Sequence, residues 1–259
     1  MNWFEAMVLG LIQGLTEFLP VSSSGHLEIA NAIFGVKPAE SFYFTIAVHG
    51  ATVLSTFFVF WQEILKLIKG AFQFKMNEEL NYIGKIVISM IPVGILGLFF
   101  QDFVEGMFSG NLFATGIEFL ITALLLALAH FVKPKERGIS YLDSFIIGIA
   151  QAIAVVPAIS RSGATIATGI LLGNRKEEVT KFSFLMVLVP VIGANVMEMA
   201  KGSSAAGSLN FMSIVLGFLV AFVSGYFACK WMITLVKKSK MVWFSIYCAI
   251  IGLAAILLS

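Results

Sequence analysis

Residues 13–26 read Gln-Gly-Leu-Thr-Glu-Phe-Leu-Pro-Val-Ser-Ser-Ser-Gly-His, and residues 151–165 read Gln-Ala-Ile-Ala-Val-Val-Pro-Ala-Ile-Ser-Arg-Ser-Gly-Ala-Thr. These are two copies of one motif. Sliding the chain by 138 residues lays Glu5 on Asp143, Gly10 on Gly148 and Gln13 on Gln151. In the same register Ser22 falls on Ser160, Ser24 on Ser162 and Gly25 on Gly163, without a gap. A fixed register over that many positions reads as an internal duplication, with halves of about 1–134 and 135–259.

The surroundings of the motif say where it works. The chain has 259 residues, 59% hydrophobic and 12% charged, with a mean hydropathy of +0.94. A soluble domain carries about twice that share of charge. Residues 202–229 run without a single Asp, Glu, Lys or Arg, longer than the roughly 20 apolar residues a crossing needs. The runs are apolar on every side, whereas the strands of a barrel alternate. The chain therefore reads as an all-α polytopic membrane protein. A net charge of +2 gives no reason to expect nucleic acid as a partner. Cys229 and Cys248 sit in apolar runs without metal-ligand spacing and read as buried thiols. The start lacks the basic region of a cleavable signal.

Basic residues in short loops orient the crossings. Lys66, Lys69, Lys75 and Lys85 mark one cytoplasmic segment; Lys133, Lys135 and Arg137 mark a second. Arg175, Lys176 and Lys181 mark a third, and Lys230, Lys237, Lys238 and Lys240 a fourth. This predicts crossings at 41–61, 84–101 and 111–132, and again at 182–200, 211–236 and 241–258. The two motifs, 3–35 and 141–172, remain. The second begins and ends among basic residues, so it crosses an even number of times. Its second arm, Gly163 to Leu172, is about 15 Å long as a helix, half the hydrocarbon thickness. Both motifs are thus predicted to be re-entrant hairpins broken at Pro20 and Pro157. A hairpin plus three crossings reverses orientation between halves, so two inverted-topology repeats are expected, their tips meeting near the midplane. Ser203–Ser208 is expected in an outer loop.

The tips concentrate the polar chemistry. Gln13 and Glu17 lie four apart on one helical face. After Pro20 the serines open a second helix, where free N–H groups and the positive dipole end attract anions. His26 follows Ser22 and Ser23 by four and three residues, so either hydroxyl shares its face. The second tip offers Ser160, Arg161, Ser162 and Thr165. An ionisable group in mid-membrane is costly and marks a functional site by default. An oxyanion fits this set, and phosphate fits best, because arginine binds it bidentately. Plainer readings stand beside these: serines as N-caps, Glu17 and Arg161 as a structural ion pair, and Gln13 and Gln151 satisfying broken backbone. His49 and Glu118, within apolar crossings, read as structural. Asp143 reads as an interfacial acid, and Trp3, Trp61, Trp231 and Trp243 as membrane-edge aromatics.

At the two tips the sequence resembles the bacitracin-resistance (BacA/UppP) family of undecaprenyl-diphosphate phosphatases. Residues 13–26 look like its first signature and Ser160–Thr165 like its second; order, spacing and length fit over essentially the whole chain. Gln13 stands where the family often has Glu, and Pro157-Ala158 where it usually has Pro-Gly. The resemblance implies hydrolysis of undecaprenyl diphosphate to the monophosphate and inorganic phosphate. That reaction recycles a cell-wall lipid carrier and gives bacitracin resistance. The resemblance also implies residence in the bacterial cytoplasmic membrane, with a site opening to its outer face.

On that reading Ser23 attacks the terminal phosphorus and His26 accepts its proton. Arg161 clamps phosphate oxygens, and Glu17 orients His26 or holds a divalent cation, magnesium or calcium. Gln13, Ser22, Ser24, Gly25, Ser160, Ser162, Gly163 and Thr165 bind substrate. A transporter or flippase of a phosphorylated lipid is the alternative, since inverted repeats with broken helices are a common transporter plan.

Overall fold

The structure, a computed structural model, describes residues 1–73, 75–100, 111–132, 135, 137–200, 210–237 and 241–259. All regular elements among the described residues are helices. The first hairpin is α1 (Trp3–Phe18) and α2 (Ser23–Phe34). Then come α3 (Pro38–Val59), α4 (Trp61–Ala71), α5 (Glu78–Phe99) and α6 (Leu112–Phe131). The second hairpin is α7 (Tyr141–Ile153) and α8 (Arg161–Leu171). After it run α9 (Lys176–Met186), α10 (Leu188–Ala200), α11 (Phe211–Lys237) and α12 (Met241–Leu257).

Five stretches are long and apolar enough to cross a membrane: Ser41–Val59, Glu78–Phe99, Leu112–Phe131, Lys176–Val196 and Phe211–Val236. They fall at five of the six expected crossings; at the sixth lies α12, an apolar helix of 17 residues. Two details differ from the sequence reading. The basic segment after Val59 is not a plain loop but contains α4, an amphipathic helix carrying Lys66 and Lys69. The crossing expected at 182–200 begins earlier and breaks at Val187 between α9 and α10. Pro190 explains the break, because it has no N–H for the carbonyl of Met186 and its ring crowds that turn. The segment holding Ser203–Ser208 lies outside the described residues.

Both hairpins start the same way. Asn2 and Glu5 form a capping box at α1, and Ser140 and Asp143 form one at α7, each joining two otherwise unpartnered backbone groups to side chains. Asp143 is more than an interfacial acid. Arg137 grips both its oxygens at 2.8 Å and also donates to the carbonyl of Leu172 at 3.0 Å, tying the two ends of the second hairpin together.

The two halves interlock. α1 packs along α11, and α7 packs along α5, so each hairpin's first arm lies on a crossing of the other half. Glycines permit the approach: a Cβ at Gly10 would strike the carbonyl of Gly217, and one at Gly148 the carbonyl of Ser89. α6 and α12 pack on each other, a Cβ at Gly116 meeting the Gly252 carbonyl and one at Gly252 the Gly116 carbonyl, both at 2.7 Å. Small residues let membrane helices touch through their backbones. The main core, with Phe119, Leu126, Phe182 and Met232 fully buried, surrounds the second hairpin. A smaller one, with Leu9, Phe44 and Val48, supports the first.

Candidate active site

The second arms have 12 and 11 residues, about 18 and 16 Å of helix, roughly half the hydrocarbon core. Pro20 and Pro157 lie in the breaks between arms, as their missing N–H groups require. At the first tip Ser22 takes φ +66°, a conformation that costs a non-glycine residue of order 1–3 kcal/mol and that concentrates at functional sites. Its Oγ accepts the Gly25 N–H at 3.2 Å, while its carbonyl lies 2.6 Å from His26 Nδ1. At the second tip Ser160 caps in the same way, accepting the Gly163 N–H at 3.0 Å, with an ordinary φ of −65°.

The tips are stitched together reciprocally. Ser24 Oγ donates to the carbonyl of Pro157, and Ser162 Oγ to that of Leu19, both at 3.2 Å. Donors and acceptors alike stand 138 residues apart. Gly25 is required here because a Cβ would run into the Phe119 ring at 2.6 Å.

Glu17 is the hub of the resulting cleft. Its Oε2 accepts from Ser23 Oγ at 2.6 Å and from Gln13 Nε2 at 3.0 Å. Its Oε1 accepts from Arg161 Nη2 across the two tips. A cavity of about 150 Å³ opens beside this group, lined by Ser22, Ser23, Ser24, Ser160, Arg161 and Ser162, with Thr16, His49 and a few apolar side chains. Arg161 Nη1 is buried without a protein hydrogen-bond partner, as is Gln13 Oε1. Burying such a donor unpaired costs about 1–3 kcal/mol, more when charged. A bound anion meets that need, helped by the N–H groups that open α2 and α8.

Several expected site residues lie elsewhere. His26 is not brought to the Ser23 hydroxyl: its Nδ1 is used by the Ser22 carbonyl and its Nε2 lies 2.7 Å from the Tyr247 hydroxyl. Thr165 is fully buried behind the tip, bonded to Ser183 at 2.6 Å and to the Arg161 carbonyl at 2.9 Å, and does not line the cavity. Gln151 is buried with neither amide atom bonded. Two residues read as structural prove close to the chemistry. His49 Nε2 faces the cavity 3.7 Å from Glu17; an ionisable group in an apolar crossing was the available signal. Glu118 accepts the Ala158 N–H at 2.9 Å, and Thr122 the Ser160 N–H at 3.0 Å, so α6 props the second tip.

The protein groups that could meet a cation here are few. Among the described residues Glu17 is the carboxylate lining the cavity, it is already engaged by Arg161, and no group of three His, Cys, Asp or Glu side chains is gathered there. Magnesium is commonly held by one or two carboxylates together with substrate phosphate, and Glu17 is the carboxylate that such an ion would share with Arg161.

The family model for the bacitracin resistance protein BacA matches residues 6–254. The chain belongs to the BacA family. Within it, the chain is 54% identical over 260 residues to the undecaprenyl-diphosphatase of Parabacteroides distasonis, covering 99% of this chain and 98% of that protein. It is likewise 54% identical to the undecaprenyl-diphosphatase of Bacteroides thetaiotaomicron, covering 99% of each. The Carboxydothermus hydrogenoformans protein of the same name is 40% identical over 266 residues. These BacA relatives align from end to end, so the tips described above lie inside the shared region.

Proposed function

We propose that the cleft between the tips is where this chain hydrolyses undecaprenyl diphosphate to undecaprenyl phosphate and inorganic phosphate. The observation that carries the assignment is the chain Ser23–Glu17–Arg161, which places a hydroxyl on a carboxylate beside a guanidinium with an unsatisfied N–H. Ser23 Oγ attacks the terminal phosphorus, the bond from that phosphorus to the bridging oxygen breaks, and undecaprenyl phosphate leaves. Glu17, and not His26, takes the serine proton, because only Glu17 is within hydrogen-bond reach of it. Arg161 then turns towards the transferred phosphoryl group, whose charge it stabilises together with the amides opening α2 and α8. Glu17 hands the serine proton to the departing undecaprenyl phosphate, then accepts one from the water that attacks the phosphoserine and returns it to the Ser23 oxygen as inorganic phosphate departs.

Ser22, Ser24, Ser160 and Ser162 shape the pocket through caps and cross-links, with Gly25 and Gly163 presenting backbone. Withdrawing the diphosphate also withdraws the lipid that bacitracin sequesters. The working place is the bacterial cytoplasmic membrane, where that carrier cycles, and the chain works as one integral domain of two inverted repeats. The reciprocal Ser24 and Ser162 bonds and the exchange of hairpins between halves support the inversion. The same plan serves transporters, yet a carrier needs no hydroxyl poised on a base.

The test is phosphate release from undecaprenyl diphosphate by the detergent-purified protein, with acid-quench trapping of phosphoserine. Loss of both in Ser23→Ala supports the mechanism. Release that survives in Ser23→Ala moves the attack to water. Folded wild-type protein that binds the lipid but releases no phosphate favours the carrier.

A further inference from the structure

His26 sits in a clamp that hydrolysis by Ser23 and Glu17 leaves unexplained. Its ring lies edge-on to Phe119, with centroids 5.2 Å apart, and parallel to Tyr247, with centroids 5.6 Å apart and 2° between planes. The hydrogen bonds fix its tautomer. Nδ1 faces a carbonyl oxygen, which only accepts, so in the neutral ring Nδ1 carries the proton. Nε2 is then an acceptor, and Tyr247 donates its hydroxyl to it at 2.7 Å. Both nitrogens are occupied, one by α12 and one by the backbone of the first tip.

That backbone group belongs to Ser22, among the described residues the non-glycine residue with positive φ. Its carbonyl accepts twice, from His26 Nδ1 at 2.6 Å and from the His26 N–H at 3.2 Å. Ser22 is also the N-cap of α2, so its torsions set where the first residue of that helix, Ser23, points. We propose that Tyr247 is a positioning residue for the reaction: through His26 it holds Ser22 in its strained turn and so keeps the Ser23 hydroxyl on Glu17. Without the Tyr247 hydroxyl, His26 is free to flip or change tautomer, the Ser22 carbonyl loses its side-chain donor, and Ser23 spends less time aimed at its base. This rests on Ser23 being the nucleophile.

Tyr247→Phe keeps the ring and removes the hydroxyl. Losing one orienting hydrogen bond predicts a kcat about three- to tenfold lower, with KM and the melting temperature unchanged, since Tyr247 does not line the cavity. In a His26→Ala background the same substitution should cost nothing further, because the coupling runs through the imidazole. Losses that multiply across the two substitutions, or a change confined to KM, overturn the proposal. A second measurement needs no activity. The chain has three histidines, so 15N-histidine NMR, with the His26 signals assigned by their absence in His26→Ala, reads the tautomer of His26 in the wild-type protein, expected to be Nδ1–H; an Nε2–H form overturns the clamp. Wild-type protein that releases no phosphate refutes the hydrolytic reading instead and takes the predicted rate effect with it, and the tautomer still decides whether the clamp exists.

Discussion

The Ser23 hydroxyl donates to Glu17 Oε2 at 2.6 Å, across the break that Pro20 introduces between two arms of one hairpin. A general base contributes about 10²- to 10⁴-fold. Glu17→Gln keeps the size of the side chain and is expected to lower kcat within that range. Steady-state phosphate release measures it, and a loss below tenfold would assign the proton to another acceptor.

His49 faces the cavity without bonding the general base: 3.7 Å from Glu17 is beyond hydrogen-bond distance. His49→Ala is therefore expected to raise KM by about tenfold, roughly what one charged or polar substrate contact contributes, and to leave phosphoserine trapping intact. Equal KM values for variant and wild type would return His49 to a packing role.

Gly10 and Gly94 separate close approach from helix propensity. Glycine-to-alanine in a helix gains about 1 kcal/mol where there is room, and nothing stands within 4 Å of a Cβ at Gly94. At Gly10 the new methyl strikes the Gly217 carbonyl, and overpacking costs about 1–3 kcal/mol. Thermal melting in detergent should therefore fall for Gly10→Ala and hold or rise for Gly94→Ala. The repeat-related Gly148→Ala, which strikes the Ser89 carbonyl, should fall like Gly10→Ala.

Asp143 lies at the mouth of the second hairpin, outside the membrane-spanning helices. Burial alone raises its pKa, but the Ser140 backbone and hydroxyl donors and the Arg137 guanidinium outweigh this and hold the carboxyl below its usual value. The stability it gives is therefore whole above about pH 4 and is lost as pH falls through the lowered value. Arg137→Ala leaves a buried carboxylate short of a partner, a loss of about 1–3 kcal/mol at neutral pH. Melting curves from pH 7 down to pH 3 should converge for the variant and the wild type at the acid end.

The helical pairs, their proline breaks and five long apolar helices were legible in the chain because each rests on local rules: run length, loop charge and the 138-residue register. Glu17, Ser23 and Arg161 were legible because polar groups in an apolar chain need a reason. The partner of Ser23 was not. Residues three and four apart share a helical face, which pointed from Ser23 to His26; both do lie in α2, but the His26 ring is held by the Ser22 carbonyl and Tyr247 while the Ser23 hydroxyl is held by Glu17. Ser22 at φ +66° precedes the helix and turns Ser23 back towards α1. His49 and Tyr247 were hidden for another reason: their importance lies in what packs against them from distant segments, 32 and 221 residues away from Glu17 and His26.

The ion pair between Glu17 and Arg161 joins residues 144 positions apart, and that separation is also a delay. A ribosome adding about 5–20 residues per second needs roughly 7–30 s to travel from one to the other. Through that interval the first hairpin carries its carboxylate with no guanidinium to meet it, so it has reason to stay near the water at the membrane edge. The order of synthesis thus sets the order of contact: the pair that joins the two tips closes last, after both hairpins exist.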